Sequence, residues 1–275
     1  MDNLDWNDLW TEAMRRASWT KHPTRISRMK AEQYNRDSKL GARRNTQVDW
    51  IKSKLNIGPK CTILDIGAGT GALAIPLAKI VRHVTAIEPS DEMRSWLKTN
   101  IEEEKITNIG IINKRWEEVI PFEDVNKHDI LIASYSLGMP DIRSTLSKMD
   151  MLATKYACLF TFVGNPQWDY SWLWPAIYGE EYDVGPDYIY IYNVLYDMGI
   201  YANVEVEHFD YQQCFFNLDA AIEFWKSNLN VFSEQGEEII RSYLSDRLIE
   251  EDGLLWSKYR MKSAVIWWEK SDLDR

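Results

Sequence analysis

Cysteine is scarce and poorly placed for bonding. Cys61, Cys158 and Cys214 are the only three in 275 residues, and no two form a C-x-x-C pair. This spacing argues against a disulfide framework or a thiolate metal site and for small buried side chains in a reducing cytoplasm. Histidine is almost as scarce. His22, His83, His128 and His208 are scattered, and no H-E-x-x-H, Ser/His/Asp or Cys/His arrangement occurs, so neither a metal centre nor an activated hydrolytic nucleophile is expected. No apolar run approaches the 18 residues that would suggest a membrane span. The first residues, Met1-Asp2-Asn3-Leu4-Asp5, are acidic and lack the apolar centre of a secretion signal. A soluble cytoplasmic protein of one large domain, or one domain with a cap, is therefore expected, its oligomeric state open.

Positive charge is also short. The chain holds 32 Lys+Arg against 42 Asp+Glu, and residues 1–60 hold 13 of those bases against 7 acids. The remaining body is strongly acidic, which makes a nucleic-acid partner unlikely, since such a footprint needs a basic surface. Residues 165–201 contain no Lys or Arg at all, but 3 Trp, 8 Tyr and 6 acids.

What is present is organised around Thr62-Ile63-Leu64-Asp65-Ile66-Gly67-Ala68-Gly69-Thr70-Gly71. An apolar strand end runs into a turn of three glycines, and the spacing predicts a helix over 72–80. Glycine at such a turn permits positive φ and leaves no Cβ in a ligand's way. The helix start that follows offers unpaired N–H groups. His83 to Glu88 reads as a second strand ending in an acid, placed to accept the hydroxyls of a ribose. The third glycine is one residue too early for the dinucleotide pattern G-x-G-x-x-G.

The D-x-G-x-G-x-G run from Asp65 to Gly71, with Glu88 on the next strand, resembles the class I S-adenosylmethionine-dependent methyltransferases. The resemblance covers residues 60–165 by motif and the rest by order of elements. It implies an α/β fold with a doubly wound, seven-stranded, mostly parallel sheet, an N-terminal helical lid and an insertion between the last two strands. The lid is expected at 1–58 and the α/β domain at 59–275, with aromatic-rich cap segments at 165–200 and 215–250. The resemblance implies S-adenosyl-L-methionine as cofactor, cradled by Asp65, Gly67, Ala68, Gly69, Thr70 and Gly71. Glu88 holds the ribose, and Pro89 and Met93 after it are also assigned to the cofactor. Tyr34 reaches it from the lid. Where the family has an acid for the adenine amine, this chain has Lys114-Arg115-Trp116, so Arg115 or Trp116, by backbone or indole, is expected to serve instead.

Along the chain, helices are expected at 5–17, 24–39 and 42–55, then at 92–100, 141–149, 186–198, 218–228 and 234–249. Further strands are expected at 109–113, 128–137, 156–163, 204–209 and 263–268. The fourth strand ends in Ser134-Tyr135-Ser136, near the switch point of a doubly wound sheet, where a methyl group would be delivered. Ser134 is assigned to the cofactor and Tyr135 is the candidate catalytic residue. Trp168, Trp172 and Tyr192 join Tyr135 as candidates for the substrate site, because aromatic faces with acids and no bases suit neutral or cationic groups.

The expected reaction is methyl transfer to a small molecule or a protein side chain. A nicotinamide-type oxidoreductase, an RNA methyltransferase and a non-catalytic cofactor-binding module are the alternatives. The acceptor itself is not legible.

Overall fold

The structure is a computed structural model that describes residues 5–23, 26–40, 42–164 and 169–270. Five strands, β1 (Thr62–Ile66), β2 (His83–Ile87), β3 (Ile109–Ile112), β4 (His128–Ser134) and β5 (Ala153–Phe162), run parallel. Two long strands, β6 (Asn203–Phe215) and β8 (Leu254–Glu269), complete the order β3-β2-β1-β4-β5-β8-β6, and short β7 (Ile249–Glu251) pairs with β8 beside it. β8 is antiparallel to both β5 and β6.

The sheet is covered on both faces because its strands alternate between two apolar cores. Leu64, Ile66, Leu131 and Ala133 face one core; Ile63, Ile130, Ile132 and Cys158 face the other. The period of two puts successive side chains on opposite sides, and continuous apolar runs are what a doubly covered parallel strand requires. Each fully buried Leu or Ile contributes about 1.5–3 kcal/mol. α7 (Ile142–Leu152) and α9 (Tyr188–Asp197) cover the first face with α1 (Trp6–Arg16), which contributes Trp10 and Met14. α4 (Ala42–Lys54) covers the second face through Val48, Trp50 and Ile51, beside α5 (Ala74–Ala78). α6 (Asp91–Glu103) follows β2, its N-terminus capped by Ser90.

The N-terminal 58 residues therefore do not form a separate lid. α1 and α4 are built into the two main cores, and α3 (Arg28–Leu40), which follows short α2 (Ser18–Lys21), lies over the glycine turn with Tyr34 against Gly69.

A third core lies beyond the sheet, where β6 and β8 extend as a two-stranded ribbon. There α8 (Asp169–Tyr178), α10 (Leu218–Asn228) and α11 (Glu234–Arg247) pack Leu173, Trp174, Phe215, Ile222 and Trp225 together. Asp169 is buried at its base, accepting from Tyr243 at 3.0 Å, Ser257 at 3.0 Å and Tyr259. The ribbon is much longer than the strands expected at 204–209 and 263–268, and α8 is a helix where none was expected.

Candidate active site

The strand order reverses between β1 and β4, so the chain opens a crevice at their carboxyl ends. The glycine turn and the Ser134–Ser136 segment meet there. The turn is fixed by backbone bonds: Gly67 and Ala68 N–H donate to Ile87 O at 2.8 and 3.0 Å. The three glycines have positive φ, of 72°, 57° and 89°, but their surroundings differ. A Cβ on Gly67 would lie 2.4 Å from Ser136 Cβ, and one on Gly71 would lie 2.6 Å from Leu97. Those two glycines are required by protein packing. A Cβ on Gly69 would meet only the Tyr34 ring, at 3.4 Å, so its open side faces the cleft beneath α3.

Tyr34, Asp37, Ser38, Gln47, Asp65, Gly67, Ala68 and Ser134 line that cleft, with Asp210 to Gln212 of β6. Asp65 is buried, and its Oδ2 has no hydrogen-bond partner among the described residues. Burial, reinforced by the nearby Glu88 carboxylate, pushes its pKa up to about 7, against the lowering effect of the Ala74 N–H. An unpartnered buried carboxylate beside a glycine turn fits a ligand that carries a cation. Glu88 is buried as well. Its Oε2 accepts from Gly69 N–H and its Oε1 from Ser90 N–H, each at 2.8 Å, so it also braces the turn. Burial raises its pKa and those two N–H groups lower it.

Thr70 is buried under the turn, its carbonyl accepting from Asn100 Nδ2 at 2.9 Å. Asn100 also donates to Asn35 Oδ1 at 2.7 Å, tying α3 to the site. Ser134 Oγ accepts from Gln47 at 3.1 Å. Pro89 is exposed just beyond Glu88, and Met93 is half-buried in the first turns of α6. Sequence reasoning missed Asp37, whose carboxylate accepts from Gln33 at 2.8 Å and from Cys214 N–H at 3.2 Å. Burial pushes its pKa up to about 7. A polar residue on the inner face of a helix was the available signal. The cleft is narrow, with ≈ 70 Å³ of free volume, against about 300 Å³ or more for ordinary ligand sites.

The expected adenine contact of the Trp116 indole requires correction. The Trp116 side chain is 2% exposed, its ring in the core with α7 and its Nε1 donating to Thr145 O at 3.5 Å. Its indole is therefore not available to a ligand. Arg115 is exposed and its N–H donates to Glu118 at 3.1 Å, while Lys114 is paired with Asp124 at 2.6 Å. Neither Arg115 nor Trp116 lines the cleft.

A second, larger cavity of ≈ 450 Å³ adjoins the first through the same strand end. Tyr135 and Ser136 line it, the latter pressed against Gly67. Trp10, Trp19 and His22 come from the N-terminal helices, Phe160 and Phe162 from β5, and Tyr170, Trp174 and Tyr182 from the aromatic segment. Tyr135 holds a left-handed φ of 53°, a conformation that costs energy and clusters at functional sites. Its hydroxyl donates to Ser263 Oγ at 2.6 Å and its ring packs on Phe162. Tyr135, the candidate catalytic residue, thus forms part of the cavity wall with its hydroxyl bonded to Ser263. Two other assignments also fail. Trp172 is 50% exposed under the Arg247 guanidinium, because α8 turns its face outward. Tyr192, on α9, is half-buried and is not among the described residues that line the cavity. Trp168 lies outside the described residues.

A family model described as a methyltransferase domain matches residues 63–154. The match spans β1, the glycine turn, Glu88 and β4, the elements that build the cleft. Over this stretch the chain is similar to the class I S-adenosylmethionine-dependent methyltransferases. An uncharacterized protein of Haemophilus influenzae is 29% identical over 219 residues, 78% of either chain. A probable ribosomal RNA small subunit methyltransferase A of Methanosphaera stadtmanae is 41% identical over 68 residues, but that stretch is only 25% of each chain. A coclaurine N-methyltransferase structure bound to N-methylheliamine and S-adenosylhomocysteine shares the fold, with a TM-score of 0.55 at 15% identity, over 95% of this chain and 86% of that one. The methyltransferase uses S-adenosylmethionine, and the nicotinamide and non-catalytic alternatives are set aside. Among the described residues no cluster could hold a metal ion, and no helix is long and apolar enough to cross a membrane.

Proposed function

We propose that this methyltransferase acts on a small molecule held in the aromatic cavity beside the glycine turn. The observation that carries this reading is the junction at Ser136, which touches Gly67 on one side and lines the ≈ 450 Å³ cavity on the other. A volume of that size matches a drug-sized ligand. Its walls are rich in aromatic side chains and, among the described residues, no Lys or Arg lines them, which disfavours the anionic backbone of RNA.

Asp65, Gly67 to Gly71, Glu88, Ser134 and Tyr34 would hold S-adenosylmethionine, which supplies an electrophilic methyl group on a sulfonium when bound. The chain's own task is then geometric. Ser134 and Ser136 carry the cleft into the acceptor cavity. The aromatic walls align the acceptor's nucleophilic atom with the methyl group and exclude water, which supplies much of the rate in such reactions. α3 acts as the lid through Tyr34.

The test is incubation with methyl-labelled S-adenosylmethionine and a metabolite extract, with total RNA and protein fractions in parallel. Label in the small-molecule fraction alone is expected. Label in RNA or protein would overturn the proposal.

A further inference from the structure

Trp19 stands between the aromatic cavity and solvent. It lines the cavity, yet it is 39% exposed. Its ring spans two walls. A Cβ on Gly138, in the loop after β4, would lie 3.6 Å from the ring's Cη2, and one on Gly185, just before α9, would lie 3.5 Å from its Nε1. The ring thus lies close against both backbones. Gly185 has a φ of 84°, and a Cβ there would also press on Ala17 Cβ at 3.0 Å, so glycine lets the 183–185 segment close against the start of α2.

The frame around the ring is fixed. Ser18, fully buried, donates its N–H to Asp183 O at 2.8 Å, and its Oγ accepts from Asp183 N–H at 2.9 Å, so α2 and the 183–185 segment clasp each other. At the other end of α2, the His22 ring packs on Tyr178 and Trp174, with centroids 4.3 and 5.2 Å apart. The Trp19 ring is tethered to this frame by its Nε1, which donates to Val184 O at 3.1 Å, and part of it is in solvent. One hydrogen bond is a modest barrier, and exposed side chains change rotamer within nanoseconds. The ring can leave its seat while the backbone on both sides of it stays in place.

We infer that the Trp19 ring is the gate of the aromatic cavity. A molecule enters as the ring swings outward on its side-chain torsions, and the closed ring limits the size of acceptor that the cavity holds. The limit on acceptors rests on the reading that the cavity is the acceptor site; the gate itself is measured without it.

The test places a reporter thiol inside the cavity as Thr161→Cys, on β5, in the full chain. Its alkylation is timed with two reagents, iodoacetamide and a maleimide that carries a pyrene. The chain without the reporter, whose three cysteines are buried, gives the background. Adding Trp19→Ala should speed the pyrene reagent at least about tenfold and iodoacetamide less than about threefold, since access scales with the fraction of time the cavity stands open. Trp19→Phe keeps a ring but loses the bond to Val184, and should speed the pyrene reagent by about threefold, an effect within reach of one hydrogen bond. It decides the matter if Trp19→Ala does not fold. An unchanged rate for the pyrene reagent, or equal acceleration of both reagents, would overturn the inference. Label transfer from methyl-labelled S-adenosylmethionine to a metabolite extract is read in parallel, and Trp19→Ala should yield labelled products larger than those of the wild type. The same products from both proteins would overturn the size limit. No labelled small molecule from either protein would contradict the acceptor reading, while the alkylation rates would still decide the gate.

Discussion

At the residue scale, the three glycines of the turn serve different ends, and substitution separates them. Gly69→Val costs some stability at its φ of 57°, but its main effect should be loss of S-adenosylhomocysteine binding, because the branched side chain enters the cleft under Tyr34. Gly67→Ala should instead lower thermal stability, since its Cβ meets Ser136 at 2.4 Å. Calorimetry and melting curves distinguish the two. Glu88→Ala should weaken cofactor binding by roughly 1.5–3 kcal/mol, about 10- to 150-fold; a change below about twofold would remove Glu88 from the cofactor site.

Asp65 adds a pH dependence. Its pKa is pushed up to about 7 by burial, so at lower pH it carries a proton that must leave before it can pair with an amine. Affinity for S-adenosylhomocysteine should therefore level off above pH 7 and fall by up to about tenfold per unit below it. Asp65→Asn should bind more weakly and flatten that slope. A wild-type affinity that is constant from pH 5 to 8 would contradict the role.

At the scale of elements, α3 is the part expected to move. It is pinned by Gln33 to Cys214 O at 2.7 Å and by Asp37 to Cys214 N–H, both on β6. Burial raises the pKa of Asp37 from its ordinary value of 3.8 to about 7. Between those values the folded protein holds a proton that the unfolded chain has released, so this contribution to stability is lost as pH rises toward 7. Asp37→Asn mimics the protonated form. It should flatten that part of the stability profile, leave stability near pH 4 unchanged and raise it at pH 8 in denaturant titrations. Hydrogen exchange of α3 should also slow when S-adenosylhomocysteine fills the cleft, as expected of a lid.

The same scale shows why parts of the chain were legible in sequence and others were not. β1, β2 and β4 announce themselves because buried parallel strands are continuously apolar, and the glycine turn because few side chains tolerate its φ. The helix expected over 218–228 is found at Leu218–Asn228, with Asn217 accepting from Ala220 N–H at its start. α5 is shorter than the expected 72–80 because Thr70 to Leu73 remain in turns. α8 was missed because Asp169–Tyr178 is rich in aromatics, has Pro175 inside it and shows no polar face. The outer halves of β6 and β8 were missed because they pair with each other beyond the sheet, where no two-sided burial imprints a pattern. The candidate site divides in the same way. Its cofactor half is local in sequence and was read from motifs. Its aromatic half assembles residues from 10 to 228, and only contact in the fold selects Trp174 and rejects Trp172.

At the scale of the whole molecule, two cavities share one strand end. The sheet supplies the cleft at the glycine turn, and the third core with the N-terminal helices closes the aromatic cavity beside it. Such a division means that acceptor and cofactor binding are separable by mutation. Val184 lines the aromatic cavity and packs against the third core, and its carbonyl accepts from Trp19 Nε1 at 3.1 Å. Val184→Trp would place a large ring in that space while leaving the cleft intact.

The most direct measurement is therefore a paired one on Val184→Trp: affinity for S-adenosylhomocysteine by calorimetry, and label transfer to the small-molecule fraction of the extract. Affinity within about threefold of wild type, with transfer reduced at least about a hundredfold, is the expected result for a block confined to the acceptor. Undiminished transfer in a variant that fills the cavity would contradict the central claim.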